Sequence, residues 1–552
     1  MVETGIQQRA VGITGKARLL TLLENTILRS PLLIGALLFL IALGFNCYRL
    51  GTPSLWFDEA YSVELVRHPF GQVWTIIFNW QPNMELYYLF LYGWLHLLAT
   101  FGWAATEFAV RFPSALCAAL SAVVVFAFGR RFISTGAGMI GALLYLLNPH
   151  ELIYAQQTRG YGLQLLLLCL SWYVLFAALT SKRRWSRYWI GFVIVMILAM
   201  YTHLMSGIML LTQVIAVGGM LLVPNWRTFI WQRVPAFVTS LVVIGLALLP
   251  LLPVVRHGDA TGNWLPAPHL HDLYWIFQEI TGGDKWYLCL TAASILLGLL
   301  IIGLSIVRRT SHGQALLAMQ VEQRPILHDL LSHEYSGMVI WGLLCWLFVP
   351  VILSFIISET VIHVFSERYL VVIIPAFCLL VGLGVAALRG RTLPLHAIQV
   401  ILAVFLLGFT VHLAVTYYAG AQIEDWRSSA QWVMDRYQQH DGLVCYDNNQ
   451  GCQTAMEYYF QTYPQSGAHF DADTPGATRF WSPAYYAKNW EAITPSIVSA
   501  FTAKYHRLFY ITGRAPEQQV RGMWQWLDQH YRLIGQVHTS GGISVRLYEI
   551  RS

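Results

Sequence analysis

Long apolar runs recur from Pro31 to about Tyr418, and this recurrence constrains the fold more than any other feature of the chain. A helix of about 20 apolar residues crosses the hydrocarbon core of a membrane. The composition agrees, because 56% of the residues are hydrophobic and only 12% are charged. We therefore predict a polytopic α-helical membrane protein.

Lys and Arg fall in clusters between the apolar runs, and these clusters predict the orientation, because cytoplasmic loops carry the excess of basic residues. Segment 1–30 is then cytoplasmic, the membrane domain covers 31–419, and 50–107 forms the first outer loop. The alternation predicts about eleven spans, at roughly 31–49, 108–128, 136–149, 160–180, 188–203, 206–223, 235–253, 286–307, 338–358, 369–388 and 395–418. The net charge of +6 is accounted for by the same clusters, so we expect no nucleic-acid partner.

One apolar run, at 84–101, is left out of this count. Counting it as a span would place Arg130 and Arg131 on the outer side and would invert every later basic cluster. Its many aromatic residues suit a helix that lies along the membrane surface. We therefore predict an interfacial or re-entrant helix within the first outer loop.

The composition changes after Tyr418, where charged residues return and the apolar runs shorten. We predict a small α/β domain at 420–552, which lies outside because an odd number of spans carries the chain across. Strands are expected at 442–446, 507–512 and 543–548, and helices at 426–439 and 518–531. Cys445 and Cys452 fall in this domain, where a disulfide is permitted, but their spacing leaves the pairing open.

The stretch Trp56–Tyr61 follows the first span and holds two adjacent acids among aromatic residues. A carboxylate at the membrane interface can be partly desolvated and still reach a polar substrate, so Asp58 and Glu59 are candidates for acid–base chemistry. In the competing interpretation Asp58 caps a helix that runs from Ala60 to Val66. The residues alone leave both interpretations open.

Further polar residues are predicted on the same face, at a junction between two spans. Glu151, Arg159 and Tyr161 could bind sugar hydroxyls or phosphate there, or could act as a helix cap and interface anchors. His203 lies where two short spans meet, and it could donate to a phosphate oxygen or be structural. Each of these residues is therefore a candidate with a structural alternative.

Two more candidates lie near the start of later spans. Arg368 and Tyr369 open one span from the outside, and a phosphate group suits the planar guanidinium of an arginine. Lys285 ends a long outer loop that also holds His and Asp residues. No spacing in that loop matches a metal-binding motif, so a metal is disfavoured.

Five stretches in order resemble the GT-C superfamily of glycosyltransferases that use lipid-phosphate sugars, in the branch of the protein O-mannosyltransferases and the bacterial aminoarabinose transferase (glycosyltransferase family 39 and its neighbours). They are Trp56–Tyr61, Arg111–Leu116 followed by Gly129–Phe132, Tyr201–His203, Glu367–Leu370 with Pro375, and Asp425–Ser428. No single motif is specific, but the similarity runs in register through the membrane region. The chain departs from the pattern at Gln157, where many relatives carry an acid two residues before the arginine.

The resemblance implies an inverting transfer of a sugar from a polyprenyl-phosphate-linked donor to a lipid, glycan or protein acceptor at the outer face. It implies that Asp58 is the general base and that Glu59 supports the base or the acceptor. Arg368 is the first candidate for the leaving phosphate, which needs positive charge around it. Arg159, His203 and Lys285 come behind it, and Tyr61, Tyr161 and Tyr369 are further substrate contacts.

The resemblance also bears on location and cofactors. It implies a bacterial inner or plasma membrane, with the active site and the 420–552 domain extracytoplasmic. It implies no certain cofactor, and a divalent metal is disfavoured because Gln157 leaves any second acidic role to Glu151 or to no residue. The remaining class is a transporter or flippase of lipid-linked sugars without transferase activity, but no inverted repeat is found in the sequence.

Overall fold

The computed structural model describes residues 30–79, 83–252, 265–311, 335–388, 393–421, 423–446, 451–471, 474–475, 493–513 and 517–550. The predicted cytoplasmic segment 1–30 lies outside these residues except for Ser30. Residues 253–264 of the long outer loop before Lys285 also lie outside them.

The membrane domain consists of helices that follow the apolar runs. In chain order they are α1 (Pro31–Cys47), α2 (Phe57–Arg67), α3 (Phe70–Asn79), α4 (Glu85–Thr100), α5 (Glu107–Phe132), α6 (Thr135–Leu146), α7 (Pro149–Ala155), α8 (Tyr161–Leu179), α9 (Arg187–Thr202), α10 (Ser206–Leu222), α11 (Pro224–Trp231), α12 (Val234–Ala247), α13 (Leu270–Ile280), α14 (Lys285–Ser311), α15 (Ser336–Thr360), α16 (Glu367–Leu370), α17 (Ile374–Ala387) and α18 (Leu393–Gly420). Proline begins α1 and α7, where the missing N–H has no partner to lose.

Among the described residues, 6 helices are long and apolar enough to cross a membrane. They are Glu107–Phe132, Tyr161–Leu179, Lys285–Leu304, Ser336–Thr360, Glu367–Ala387 and Pro394–Gly420. Helices α10 and α11 pass the same criterion together but are bent by 119°, and α1, α6, α9 and α12 are shorter apolar helices. Every predicted span therefore coincides with an apolar helix, which confirms a helical membrane protein, while the number of eleven spans stays a prediction.

The apolar run at 84–101, which was left out of the predicted spans, forms α4. This helix packs against α2 and α9. It buries Tyr87, Tyr88 and Leu91 and leaves Phe90 and Leu97 exposed. Its position along the membrane surface stays a prediction.

A central span lies among the other helices of the membrane domain. Helices α16 and α17, joined by the 3₁₀ turn Val371–Ile373, form a span whose apolar part is 100% buried inside the protein. By contrast, 17% of the apolar part of α18 is buried. The chain therefore threads α16 and α17 through the middle of the bundle, and Arg368 lies at the start of this central span.

Glycines allow α17 to contact its neighbours closely. A Cβ at Gly382 would overlap the backbone of α6 at Ala137 and Gly141, and a Cβ at Gly384 would overlap the Ser294 carbonyl of α14. Small residues at such contacts let helix backbones approach, which increases van der Waals packing in a membrane.

The C-terminal domain is an α/β domain, as predicted. Its elements are α19 (Trp426–Met434), β1 (Gly442–Tyr446), α20 (Gly451–Thr462), α21 (Pro495–Thr502), β2 (Arg507–Thr512), α22 (Glu517–His530), β3 (Arg532–Thr539) and β4 (Ile543–Glu549). The sheet order is β1-β2-β4-β3, with β1 parallel to β2 and the other neighbours antiparallel. Strand β3 was not predicted, and Cys445 and Cys452 form a disulfide between β1 and α20.

Helices cover both faces of this sheet, because the strands alternate their apolar side chains. Phe509 and Ile511 of β2 belong to one core, with α19 and α20. Leu508 and Tyr510 belong to the other core, with α21 and α22. The first core also includes Ala60 of α2, so the soluble domain and the membrane domain share one apolar cluster.

We expect that Gly384→Ala lowers the stability of the membrane domain by about 1–3 kcal/mol, because the new methyl group would overlap the Ser294 carbonyl. The matched control is Gly408→Ala in α18, where a Cβ would meet nothing within 4 Å. The control should keep or raise the thermal midpoint, because alanine favours a helix over glycine by about 0.5–1 kcal/mol. Thermal unfolding of the purified variants in detergent measures both, and equal midpoints for the two variants would contradict the close contact.

Candidate active site

The site is built around the start of α2, which follows the loop Leu50–Trp56. Asp58 lies in the first turn of this helix, and its side chain is 20% exposed. Its Oδ2 atom lies 3.6 Å from Nη1 of Arg368 and 3.9 Å from Nη2 of Arg159. Three predicted site residues from distant parts of the chain therefore meet here, and we call them the Asp58 cluster.

Arg159 reaches Asp58 from the turn between α7 and α8. Its Nη1 atom lies 3.4 Å from the Asp58 carbonyl oxygen, 3.3 Å from the Ser62 hydroxyl and 3.4 Å from the Tyr88 hydroxyl. The Ser114 hydroxyl donates to the Arg159 carbonyl oxygen at 3.3 Å. These long contacts hold the guanidinium beside the carboxylate without a short charge-assisted bond, which would measure about 2.7–2.9 Å.

Arg368 reaches Asp58 from the start of the central span. Its guanidinium carbon lies 5.8 Å from the centre of the Trp56 ring, within the distance of a cation–π contact. The side chain is 25% exposed. A cation that is held by an aromatic face and remains partly accessible can bind a negatively charged group of a ligand.

An aromatic row lies next to the two arginines. The His203 ring lies 5.5 Å from the Tyr161 ring and 5.3 Å from the Tyr369 ring, centre to centre. The His203 nitrogens face the Asn83 side-chain amide and the Met205 backbone N–H, each at 3.2 Å. The predicted residues His203, Tyr161 and Tyr369 thus form one wall, and His203 is buried within it.

Glu59 points away from the Asp58 cluster. Its side chain is buried, and it accepts from Arg111 Nε at 2.8 Å and from Arg111 Nη2 at 2.6 Å. The Thr158 backbone N–H also donates to it at 2.8 Å. The family resemblance implies that Glu59 supports the base or the acceptor, whereas in the structure it forms a bidentate ion pair with Arg111 and accepts from the turn that carries Arg159, so that it joins α2 to α5 and to this turn.

The loop before α2 is held from both domains. Arg111 donates to the carbonyl oxygens of Leu50, Pro53 and Ser54 at 2.8–2.9 Å. Arg427 of α19 donates to the carbonyl oxygens of Gly51, Thr52 and Pro53 at 2.9–3.3 Å, and to the Glu107 carboxylate. Glu424 accepts from the Phe57 backbone N–H at 2.9 Å, at the N-terminus of α2. The C-terminal domain therefore helps to position the helix that carries Asp58.

The structure leaves three predicted residues outside the cluster. Tyr61 is buried in the main apolar core, with its ring 6.1 Å from that of Phe57. Lys285 is exposed at the first residue of α14, and no described contact joins it to Asp58. Glu151 is buried in α7, and neither of its carboxylate oxygens has a hydrogen-bond partner among the described residues.

Burial shifts the pKa of two acids, Glu151 in α7 and Glu85 in α4. Burial raises the pKa of Glu151 to about 8, although the nearby Tyr145 hydroxyl opposes the shift. Burial also raises the pKa of Glu85, the first residue of α4, to about 8. The raised pKa favours the neutral, protonated form of both side chains.

Sequence reasoning missed the role of Arg111, which it noted only as part of a motif. The sequence did contain a signal for this role, because an arginine inside an apolar run needs a buried partner. The partner itself was less accessible to sequence reasoning, since Glu59 lies 52 residues away and looked like a second catalytic acid. The supports that come from Glu424 and Arg427 depend on how the two domains pack.

Comparisons with known proteins agree with this architecture. Residues 90–255 match the family model described as dolichyl-phosphate-mannose-protein mannosyltransferase. This range contains Arg111 and Arg159 but not Asp58 or Arg368. No match to a curated protein was found.

Solved structures are similar over nearly the whole chain. The crystal structure of ArnT from Cupriavidus metallidurans bound to undecaprenyl phosphate has a TM-score of 0.52 at 13% identity, and the match covers 93% of this chain and 97% of that one. The apo structure of the same protein has a TM-score of 0.51 at 13% identity, with the same coverage. The arabinofuranosyltransferase AftD from Mycobacteria has a TM-score of 0.50 at 12% identity, and the match covers 94% of this chain and 40% of that one.

We expect Arg111→Met to destabilise the protein by about 3–5 kcal/mol, because it leaves the buried Glu59 carboxylate without its partner. The control is Arg532→Met, which breaks the exposed pair with Glu549. An exposed pair contributes about 0–1 kcal/mol, so this control should change little. Detergent thermal unfolding reports both variants, and similar midpoints would show that the Glu59–Arg111 pair is not required.

We expect the buried acids to give the folded protein a distinct pH dependence. The pKa of Glu151 is higher in the folded state, about 8 against the ordinary 4.5, so its contribution is present below about pH 4.5 and is lost as the pH rises to about 8. Glu151→Gln should therefore flatten the fall in thermal midpoint between about pH 5 and about pH 8.5. Glu359→Gln, at an exposed position, is the control and should keep the wild-type slope. An unchanged slope in Glu151→Gln would contradict the raised pKa.

Proposed function

We propose that this protein, which has a GT-C fold, is a glycosyltransferase. It moves a sugar from a polyprenyl-phosphate-linked donor to an acceptor hydroxyl at the outer face of a membrane. The proposal rests on one observation above the others. A partly exposed carboxylate, Asp58, lies near two guanidinium groups, at the N-terminal end of a fully buried span. This arrangement combines a proton acceptor with positive charge for a phosphate, and both are needed for such a transfer.

The geometry suits a single displacement. The acceptor oxygen attacks the anomeric carbon and forms the new glycosidic bond, while its proton passes to a carboxylate oxygen of Asp58. The bond between the anomeric carbon and the phosphate oxygen breaks, and its electron pair leaves with the lipid phosphate. Attack and departure on opposite faces invert the anomeric centre.

The arginines account for the leaving group. Arg159 and Arg368 approach Asp58 at 3.6–3.9 Å, so the carboxylate and the two cations are close without forming tight bidentate pairs. A planar guanidinium can bind two phosphate oxygens at once. We propose that these two residues stabilise the negative charge that develops on the lipid phosphate, and that the wall of Tyr161, His203 and Tyr369 supports their position.

The comparisons support the class of donor. One similar structure is of ArnT bound to undecaprenyl phosphate, and the family model is described by a dolichyl-phosphate-mannose donor. We therefore propose a polyprenyl-phosphate sugar as the donor for this chain. The acceptor is proposed as a lipid, a glycan or a protein that carries a free hydroxyl group, and the soluble domain next to α2 lies on the side from which it would approach.

Asp58→Asn should lower the transfer rate by about 10²–10⁴-fold, because an amide accepts no proton from the acceptor. The measurement uses membranes that contain the protein and a panel of radiolabelled undecaprenyl-phosphate sugars, and it follows the transfer of label and the release of undecaprenyl phosphate. The residue size is kept and Asp58 is partly exposed, so the variant should fold.

Asp284→Asn is the matched control for this variant. Asp284 accepts from the Tyr287 backbone N–H at 2.8 Å at the start of α14, so it is an acid at a helix N-terminus outside the Asp58 cluster. It should retain full activity. Full activity in folded Asp58→Asn would rule out Asp58 as the base and favour the helix-cap interpretation. A wild-type protein that transfers none of the panel, or that only moves donor across the membrane, would overturn the proposed function.

A further inference from the structure

One end of the membrane domain carries a dense group of basic side chains. Helix α9 begins at this end with Arg187 and ends at Thr202, next to His203. At about 1.5 Å per residue, the basic end lies about 24 Å along the helix from His203. Six exposed basic residues lie there: Arg130, Arg131, Lys182, Arg183, Arg184 and Arg187. This basic group is therefore separate from the Asp58 cluster.

The positive charge of the basic group is not compensated by a described acid. The sequence has no Asp or Glu between Glu107 and Glu151, or between Glu151 and Asp259. Among the described residues, none of the six basic side chains takes part in an ion pair. Like charges repel one another, so an anion that binds beside them is stabilised.

Two of the six residues meet at one tyrosine. Nη1 of Arg131 donates to the Tyr173 hydroxyl at 3.0 Å, and the Arg131 guanidinium carbon lies 5.3 Å from the centre of the Tyr188 ring. The Arg187 guanidinium carbon lies 5.9 Å from the centre of the same ring. Both guanidinium groups also lie beside the Tyr188 hydroxyl. An anion at this hydroxyl is therefore within reach of two exposed cations, which come from α5 and α9.

An apolar stripe on the surface of α9 begins beside Arg187. Ile190, Ile194 and Leu198 follow Arg187 at helical spacing, so they share its face of the helix. These three residues are 65%, 52% and 36% exposed. From Arg187 to Leu198 the stripe is about 16 Å long, which is about half of the roughly 30 Å hydrocarbon core of a membrane. The stripe therefore matches the depth of one lipid leaflet.

We propose that Arg131 and Arg187 bind the phosphate of one anionic phospholipid, whose acyl chain lies along the α9 stripe. A planar guanidinium can bind two phosphate oxygens at once. Trp185, in the turn before α9, is 63% exposed, and tryptophan is enriched at the level of the lipid headgroups. The inference is independent of the proposed glycosyl transfer, because the site lies at the other end of α9 from His203.

Charge and apolar surface together favour an anionic lipid over other occupants. A soluble anion gains nothing from the stripe, whereas a lipid phosphate is held next to the arginines by its own acyl chain. A zwitterionic lipid brings an ammonium group to a positive surface, so its net attraction is smaller. The basic excess that orients a membrane protein needs only charge in a loop, and not two arginines at one tyrosine. The site therefore predicts that binding depends on lipid charge and on these two arginines.

Native mass spectrometry of the purified full-length protein in a neutral detergent tests the site. The probes are dioleoyl-phosphatidylglycerol, which is anionic, and dioleoyl-phosphatidylcholine, which has the same chains and no net charge. We expect one phosphatidylglycerol to bind about 10-fold more tightly than phosphatidylcholine, as one additional hydrogen bond between charged groups predicts. Arg131→Gln and Arg187→Gln should each weaken phosphatidylglycerol binding about 10-fold for the same reason, and should leave phosphatidylcholine binding unchanged.

Lys182→Gln and Arg183→Gln are the matched controls. Each removes one exposed positive charge from the adjoining turn, and neither side chain contacts Tyr188 among the described residues. At a salt concentration of about 0.15 M, exposed charges more than about 8 Å apart are screened, so both controls should bind phosphatidylglycerol like the wild type. The proposal is overturned if the controls weaken binding as much as Arg131→Gln and Arg187→Gln, or if the two lipids bind equally.

Thermal unfolding without lipid separates a loss of binding from a loss of fold. Because Arg131 and Arg187 are exposed, both variants should keep the wild-type midpoint. Arg131→Gln also loses the hydrogen bond to Tyr173, so Arg187→Gln alone carries the test if the first variant does not fold. Wild-type affinity for phosphatidylglycerol in folded Arg187→Gln would overturn the proposal.

Competition with glycerol 3-phosphate distinguishes a lipid from a soluble anion. This compound has the phosphate and the glycerol but no acyl chain, so an equal concentration should not displace phosphatidylglycerol. Displacement would indicate a site for soluble phosphates and would overturn the lipid as occupant. Asp58→Asn should bind phosphatidylglycerol like the wild type, so the lipid site and the proposed transfer are tested separately.

Discussion

Arg111 has five N–H donors, of which three go to carbonyl oxygens of the segment that leads into α2 and two go to Glu59 within α2. The segment has no regular structure of its own, so its carbonyl oxygens would otherwise need water. A single buried guanidinium satisfies three of them and pairs with Glu59 at the same time. The direction of α2, and with it the place of Asp58, depends on this arginine more than on any local preference of the loop.

The C-terminal domain adds further hydrogen bonds to the same loop. Arg427 binds further carbonyl oxygens of the loop, Glu424 accepts from the first N–H of α2, and the Tyr459 hydroxyl accepts from the Leu55 N–H at 2.9 Å. Among the described residues, the Asp58 carboxylate receives the longer contacts from Arg159 and Arg368. The surrounding loop is therefore tightly hydrogen-bonded while the Asp58 carboxylate stays partly accessible, which is the distribution expected where a site is positioned by its surroundings.

The sequence predicted the helices and strands more fully than the contacts between them. Apolar runs and basic clusters located every apolar helix, and alternating residues located β1, β2 and β4, because these patterns follow directly from burial. Strand β3 is not predicted, because its residues are mostly exposed and show no pattern of buried apolar residues. Of the residues that the family resemblance implies for the site, Asp58, Arg159 and Arg368 lie close together, whereas Glu59, Tyr61, Glu151 and Lys285 lie outside this cluster. Adjacency in sequence could not separate Asp58 from Glu59, because neighbouring residues of a helix point in different directions.

Arg111 and Arg427 both bind the loop before α2, and they are synthesised at different times. Thr52 and Arg427, which share a hydrogen bond, are 375 residues apart in the chain. At a synthesis rate of about 5–20 residues per second, Arg427 is made about 20–75 s after the loop. During that interval the membrane helices can insert and pack, and Arg111 can already bind the loop, but the supports from Glu424, Arg427 and Tyr459 are still missing. The surroundings of Asp58 are therefore completed only after the C-terminal domain has been synthesised.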